Sequence, residues 1–235
     1  MVTEQIPLSF AWRDGLSFEN YFFETDLKNN AEVVHHIQQA AIGSAVAEQF
    51  LFLWGGNSVG KSHLLQAACQ QAAAHQNAVA YLPMSDLLEL SGDIFGGLEQ
   101  MSLICIDDVQ LITGHAQWEE ALFHFYNRLR DTGGRLVVAA NVAPVALNIH
   151  LADLQSRLVW GPVLQLHELD DTGKIAALQL RAQGRGFDLP NEVAQFLIRR
   201  SARDMASLFL LLDRLDEASL IQQRKLTIPF VRGLV

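Results

Sequence analysis

The sequence predicts an α/β protein in which a parallel five-stranded sheet, wound on both faces, precedes an all-helical C-terminal part. Three observations predict it. An apolar run enters the pattern GxxxxGK(S/T) and leaves it into helical spacing. Apolar strands then alternate with helical segments up to residue 166, which implies parallel pairing through crossover helices. Beyond residue 168 the spacing is helical throughout. Half of the 235 residues are apolar, enough for one α/β domain with a smaller companion.

The elements follow in order. Residues 1–12 read as an N-terminal tail, with Pro7 favouring an extended backbone, Leu8 and Phe10 offering apolar side chains and Gln5 a two-way amide. The same peptide also fits a first strand or a staple onto the domain. Residues 13–168 are expected to form a nucleotide-binding domain and 169–235 a helical lid. Leu51-Phe52-Leu53-Trp54 is a strand that delivers the chain into Gly55-Gly56-Asn57-Ser58-Val59-Gly60-Lys61-Ser62-His63. There the glycines let backbone N–H groups turn toward phosphate, Lys61 reaches the terminal phosphates and Ser62 can ligate Mg²⁺. A helix over 61–75 aims its N-terminal amides at the same anion. A plain glycine-rich turn between core elements is the alternative.

A strand over 78–83 and a helix over 85–90 lead to the apolar run 101–106, which ends in Asp107-Asp108. Ligands collect at the carboxyl ends of parallel strands. Asp107 is therefore placed to hold Mg²⁺, usually through water, and Asp108 to orient or deprotonate an attacking water. Paired acids after a strand also serve as helix caps. A helix over 118–131 and a strand over 135–140 bring in Asn141, whose amide meets the γ-phosphate or the water, or acts as a turn residue before Pro144. Arg157 precedes the last strand, 163–166, at an edge suited to a subunit contact or simply to a surface cation. Lid helices span 172–183, 190–201 and 202–223, the first two broken by Gly184-Arg185-Gly186, with a final turn near Thr227-Ile228-Pro229.

Charge narrows the partners. The net charge is −9, and seven of the 17 Lys and Arg, against 18 of the 26 Asp and Glu, precede Asp170. No Lys or Arg lies between Lys61 and Arg128. A surface that displaces counterions from nucleic acid is basic, so direct sequence-specific DNA binding is not expected, and the basic C-terminal third reads as a solvated helical face. Cys69 and Cys105 fit buried thiols better than a redox pair or metal site. No apolar stretch is long enough to span a bilayer, and no signal pattern opens the chain. A cytoplasmic location, away from membranes, is expected.

These motifs together resemble the AAA+ family, and within it the branch of the replication initiator DnaA and its short Hda-type relatives. The resemblance covers nearly the whole chain and implies an AAA+ P-loop fold. Asp107-Asp108-Val109-Gln110 is similar to the family's Walker B with its trailing Gln, Asn141 falls at sensor 1, and Ser156-Arg157 resembles the box VII arginine finger. Arg203-Asp204-Met205 resembles the sensor 2 motif, which implies a catalytic and nucleotide-binding role for Arg203. Ser17-Phe18-Glu19-Asn20-Tyr21 resembles the aromatic motif near the nucleotide base, although Phe18 and Tyr21 also fit ordinary core aromatics.

Two departures from the initiator are expected to matter. The chain stops at Val235, where DnaA continues into a DNA-binding helix-turn-helix domain, and the segment 82–102 is short and lacks the basic residues used for single-stranded DNA. Gln5-Ile6-Pro7-Leu8-Ser9-Phe10 resembles the peptide by which proteins dock on the sliding clamp. The resemblance implies a regulator that binds ADP or ATP, or another nucleoside diphosphate, with Mg²⁺. It would dock on the β subunit of DNA polymerase III through Gln5, Leu8 and Phe10 and drive hydrolysis of DnaA-bound ATP through Arg157. Its own ATPase is expected to be weak or absent, and a homo-oligomer is compatible with the pattern. A DnaC-type helicase loader and an autonomous AAA+ ATPase are the alternatives.

Overall fold

The computed structural model describes residues 16–23, 30–200 and 204–234. Five strands, β1 (Phe50–Trp54), β2 (Val79–Pro83), β3 (Leu103–Asp107), β4 (Arg135–Ala140) and β5 (Val163–Gln165), form one parallel sheet. Their order is β2-β3-β4-β1-β5, so β1 is an interior strand flanked by β4 and β5, and β5 forms an edge. This is the parallel five-stranded sheet expected from the sequence, with helices after it.

Strand periodicity sorts the core into two layers. Leu51 and Leu53 face a layer built with α1 (Asn30–Ile42) and α2 (Lys61–Ala74), through Val33, Ile37, Leu64 and Leu65. Phe50 and Phe52 face the other layer, with α3 (Met84–Leu87) and α4 (Ala116–Thr132), through Met84, Trp118, Leu122 and Phe125. β1, β3 and β4 are buried on both faces, which is why they read as unbroken apolar runs. The helix α5 (Ala152–Arg157) leads into β5. After it, α6 (Asp171–Gly184), α7 (Asn191–Arg200), α8 (Met205–Gln222) and α9 (Ile228–Arg232) enclose a third core of Leu178, Leu197, Leu208, Leu212 and Val231.

Local differences from the sequence reading have physical causes. α1 is absent from the sequence reading, although its buried positions Val33, Val34, Ile37, Ala40 and Ala41 recur at helical spacing. The expected 85–90 helix stops at Leu87, and Ser91 then caps a separate 3₁₀ turn, Gly92–Phe95, by accepting from the Asp93 N–H. Cys69 and Cys105 are free and buried, and burial pushes the Cys105 thiol pKa well up. No helix among the described residues is long and apolar enough to cross a membrane.

Candidate functional site

The loop 55–60 emerges at the carboxyl end of β1 and turns directly into α2. Two glycines make the turn sterically feasible. A Cβ on Gly55 would lie 2.4 Å from the Leu166 carbonyl oxygen, and Gly60 adopts φ +104 with the Tyr21 ring 2.8 Å from where a Cβ would be. Lys61 opens α2 at 7% exposure, its Nζ donating to the carbonyls of Gly55 (2.9 Å) and Gly56 (2.7 Å). Burial lowers its pKa, opposed by the negative charges of Asp107 and Asp108. The ammonium thus stands at the centre of its own loop, with two acidic neighbours.

β3 places Asp107 beside this loop at 2% exposure. Its Oδ2 accepts from the Tyr81 hydroxyl at 2.8 Å, its Oδ1 accepts from the Asp108 N–H at 3.0 Å, and the Ser62 side chain is near enough to favour the charged carboxylate. Burial raises its pKa while the Ser62 and Tyr81 contacts pull it down. Asp108 adopts φ +55, uncommon for a residue with a side chain, and its Oδ1 accepts from Gln110 Nε2 at 2.8 Å. The other end of that amide, Gln110 Oε1, accepts from the Asn141 N–H at 3.1 Å. Gln110 therefore joins the acidic turn after β3 to the end of β4, and Gly55 N–H donates to Ala140 O at 3.3 Å, bringing the same strand end to the loop.

Tyr21 and Phe18 pack with the core layer beneath the loop, next to Val59. The Tyr21 ring meets His63 edge-on at 5.1 Å, and His63 Nε2 is 2.9 Å from the Ser17 carbonyl oxygen. Burial lowers the His63 pKa, and the positive charge of Arg181 on α6 lowers it further against the Ser17 contact. The lid touches the loop itself. Ser58, at φ +60, is close enough through its side chain to help lower the pKa of Asp204, the N-cap of α8, whose carboxylate accepts from the Ser207 N–H at 2.9 Å.

Arg157 belongs to a different place. Its guanidinium carbon lies 3.9 Å from the Trp160 ring centroid and 5.5 Å from that of Phe123, and its Nε donates to Asn127 Oδ1 at 3.3 Å. Trp160 packs against Phe50, the first residue of β1, at 5.7 Å. The phosphate loop leaves the other end of β1, roughly 13 Å away by strand rise. Arg157 and Lys61 therefore flank opposite ends of one strand.

Gln5, Leu8, Phe10 and Arg203 lie outside the described residues. Tyr81, Gln110, Asn127, Trp160 and the Ser58 contact with Asp204 were not picked out as site residues from sequence; all but Trp160, three residues from Arg157, act through a partner far along the chain. Glu119 was missed too, although an acid on the buried stripe of α4, between Trp118 and Leu122, was a visible signal. Among the described residues no three or more His, Cys, Asp or Glu are grouped to hold a metal ion unaided.

Residues 17–165 match the family model of the bacterial DnaA ATPase domain, and residues 171–235 match that of the Hda lid domain. The fold is similar to domain III of the Thermotoga maritima replication initiation protein DnaA, with TM-score 0.82 and 22% identity over 95% of this chain and 97% of that one. AMPPCP-bound DnaA from Aquifex aeolicus superposes with TM-score 0.72 and 22% identity over 88% of this chain and 66% of that one. The Thermotoga maritima RuvB Holliday junction branch migration motor gives 0.69 and 15% over 92% and 70%.

Proposed function

The chain belongs to the bacterial DnaA ATPase domain family, on its Hda-like side, and from that premise we propose that it is a nucleotide-bound negative regulator of replication initiation. The loop 55–63 takes the phosphates of ADP or ATP, Lys61 exchanging its carbonyl acceptors for phosphate oxygens. The AMPPCP held by the Aquifex aeolicus DnaA is in keeping with an adenine nucleotide. Ser62 and Asp107, whose side chains are neighbours, present two adjacent oxygen donors. They fit Mg²⁺, which takes few protein ligands and fills its shell with water and phosphate oxygens. The ion would neutralise phosphate charge. Phe18 and Tyr21 border the base side, Asp108 and Asn141 face the γ-phosphate position, and Arg203 is assigned to the nucleotide by its motif alone.

The observation that carries the regulatory reading is the separation of the two cations along β1. A guanidinium stacked on Trp160 near the start of the strand cannot serve a phosphate bound at its far end, so Arg157 acts on a neighbour's nucleotide. An arginine supplied in trans neutralises charge in phosphoryl transfer. With DnaA as that neighbour and Gln5, Leu8 and Phe10 docked on the sliding clamp, this chain converts ATP-DnaA to its ADP form. The test is single-turnover hydrolysis of ATP preloaded on DnaA, with clamp on DNA and this protein added. No acceleration by the wild-type chain overturns the reading.

A second reading, an autonomous ATPase, is favoured by the gathering of Lys61, Ser62, Asp107 and Asp108 at one sheet end. Turnover of ATP by the isolated protein decides between them.

A further inference from the structure

Glu119 is an acidic side chain at 1% exposure on α4, remote from the phosphate loop in sequence and unused by the proposal above. Its two oxygens accept three backbone N–H groups. Oε1 takes Gly114 at 2.9 Å, and Oε2 takes His150 at 2.9 Å and Leu151 at 2.8 Å. A buried carboxylate is tolerated when its acceptor sites are filled by donors. A neutral amide could not fill this role, because half of it donates.

Leu151 is the N-cap of α5, and its own side chain supplies no cap. The Glu119 carboxylate therefore holds the point at which α5 begins, and α5 ends six residues later at Arg157. One face of α4 holds both ends. Glu119, Phe123 and Asn127 recur every fourth residue and so share that face; the first fixes the start of α5, and the other two contact the guanidinium at its end. α5 is short, about 9 Å at helical rise, so a displaced start displaces the arginine.

We propose that Glu119 is a positioning residue for Arg157, setting the reach of the guanidinium by fastening the start of α5. The inference rests on the reading of Arg157 as acting on a neighbouring nucleotide, and the experiment separates the two. Glu119→Gln is compared with Arg157→Ala in the DnaA hydrolysis assay, and the Arg157 Nε–H resonance, assigned by its loss in Arg157→Lys, is followed by NMR. The Arg157 guanidinium lies over the Trp160 ring while the Nε–H itself donates to Asn127, so the resonance responds to any shift against the ring current or that acceptor.

Glu119→Gln should lower the saturating stimulated rate by roughly 10- to 100-fold, the scale of a misplacement near 1 Å. The half-saturating concentration and ADP affinity should stay within about twofold on the same argument, since neither depends on where the guanidinium points. The Arg157 resonance should move. Glu119→Asp, one methylene shorter but still charged, should move it too, and serves if the Gln variant does not fold. Full stimulation by Glu119→Gln, or abolished stimulation with the resonance unmoved, overturns the inference. Undiminished stimulation by Arg157→Ala would instead remove the trans-acting arginine, while the resonance would still report on positioning.

Discussion

Lys61 and Arg157 are both cations within reach of β1, yet they are held in opposite ways. Lys61 is nearly buried and bonded to two carbonyls that precede it by six and five residues. Arg157 is half-buried and held by Asn127, Phe123 and Trp160, the first two about thirty positions upstream. The lysine is built into a local turn that wraps one ligand. The arginine is half-buried on a platform of two aromatic rings and an amide. The difference teaches that a cation held by its own turn can be encoded locally, whereas one held by stacking needs a platform assembled in part from distant segments.

The largest expected effect tests the arginine end. Arg157→Ala should reduce the stimulated hydrolysis of DnaA-bound ATP by about 10³-fold, the lower end for an arginine supplied in trans, and leave ADP affinity unchanged by calorimetry. Arg157→Lys should recover little, because an ammonium lacks the planar fork that stacks on Trp160 and pairs with phosphate. If the alanine variant instead failed to bind ADP, the two cations would not be separate and the comparison would collapse.

Removing the other cation should do the reverse. Lys61→Ala should weaken ADP binding by roughly two orders of magnitude, the scale of one or two charge-assisted hydrogen bonds. It should also abolish the rise in melting temperature on adding ADP, since that rise is mass action on the folded state. Melting of the ligand-free variant should change little. Unchanged ADP affinity would remove Lys61 from the site.

The same contrast explains what the sequence disclosed. The five strands, the loop and the acidic turn were legible because their signals are contiguous, such as the unbroken run of β1 or Asp107-Asp108 at a strand end. Gln110 was visible as part of a motif, but its bridge between Asp108 and Asn141 spans 31 residues and has no period or spacing to betray it. Glu119 and Asn127 became meaningful only once α4 lay against α5. α1 was legible in principle, since its buried stripe from Val33 to Ala41 has helical spacing, but no motif drew attention to it.

A smaller effect sharpens the loop end. Burial raises the folded pKa of Asp107 above its unfolded value of about 3.9, so the folded state binds this proton more tightly than the unfolded chain. Stability is then fully present below the unfolded pKa and drains as pH rises through the folded one. Asp107→Asn should therefore raise the melting temperature of the ligand-free protein at pH 7 by about 2–4 °C, which for a chain of this size corresponds to about 1 kcal/mol. The gain should shrink as the pH is lowered toward about 4, the unfolded value, while Mg²⁺ dependence of nucleotide binding disappears. Destabilisation at pH 7 would mean that the Ser62 and Tyr81 contacts outweigh the burial.

The smallest effect concerns the contact between loop and lid. Ser58 holds φ +60, a conformation that costs a residue with a side chain about 1 kcal/mol relative to glycine, and its hydroxyl meets Asp204 on α8. The Asp204 pKa is lowered, first by the Ser207 N–H and then by further contacts that include Ser58. Ser58→Gly removes the strain and this contact together, and the two act in opposite directions on stability. Melting of the ligand-free protein should stay within about 2 °C of wild type, the response to a few tenths of a kcal/mol at this chain length. Release of bound nucleotide should quicken by about threefold to tenfold, since loosening the lid over an occupied site acts mainly on dissociation. Stopped-flow release of a fluorescent ADP analogue measures it. Asp204→Ala should accelerate release at least as much, since it also removes the cap of α8, and Ser58→Gly should add nothing in that background, because the two side chains share one contact. Unchanged release in Ser58→Gly would mean that the lid closes without this contact and that the strained backbone at Ser58 serves the phosphates alone.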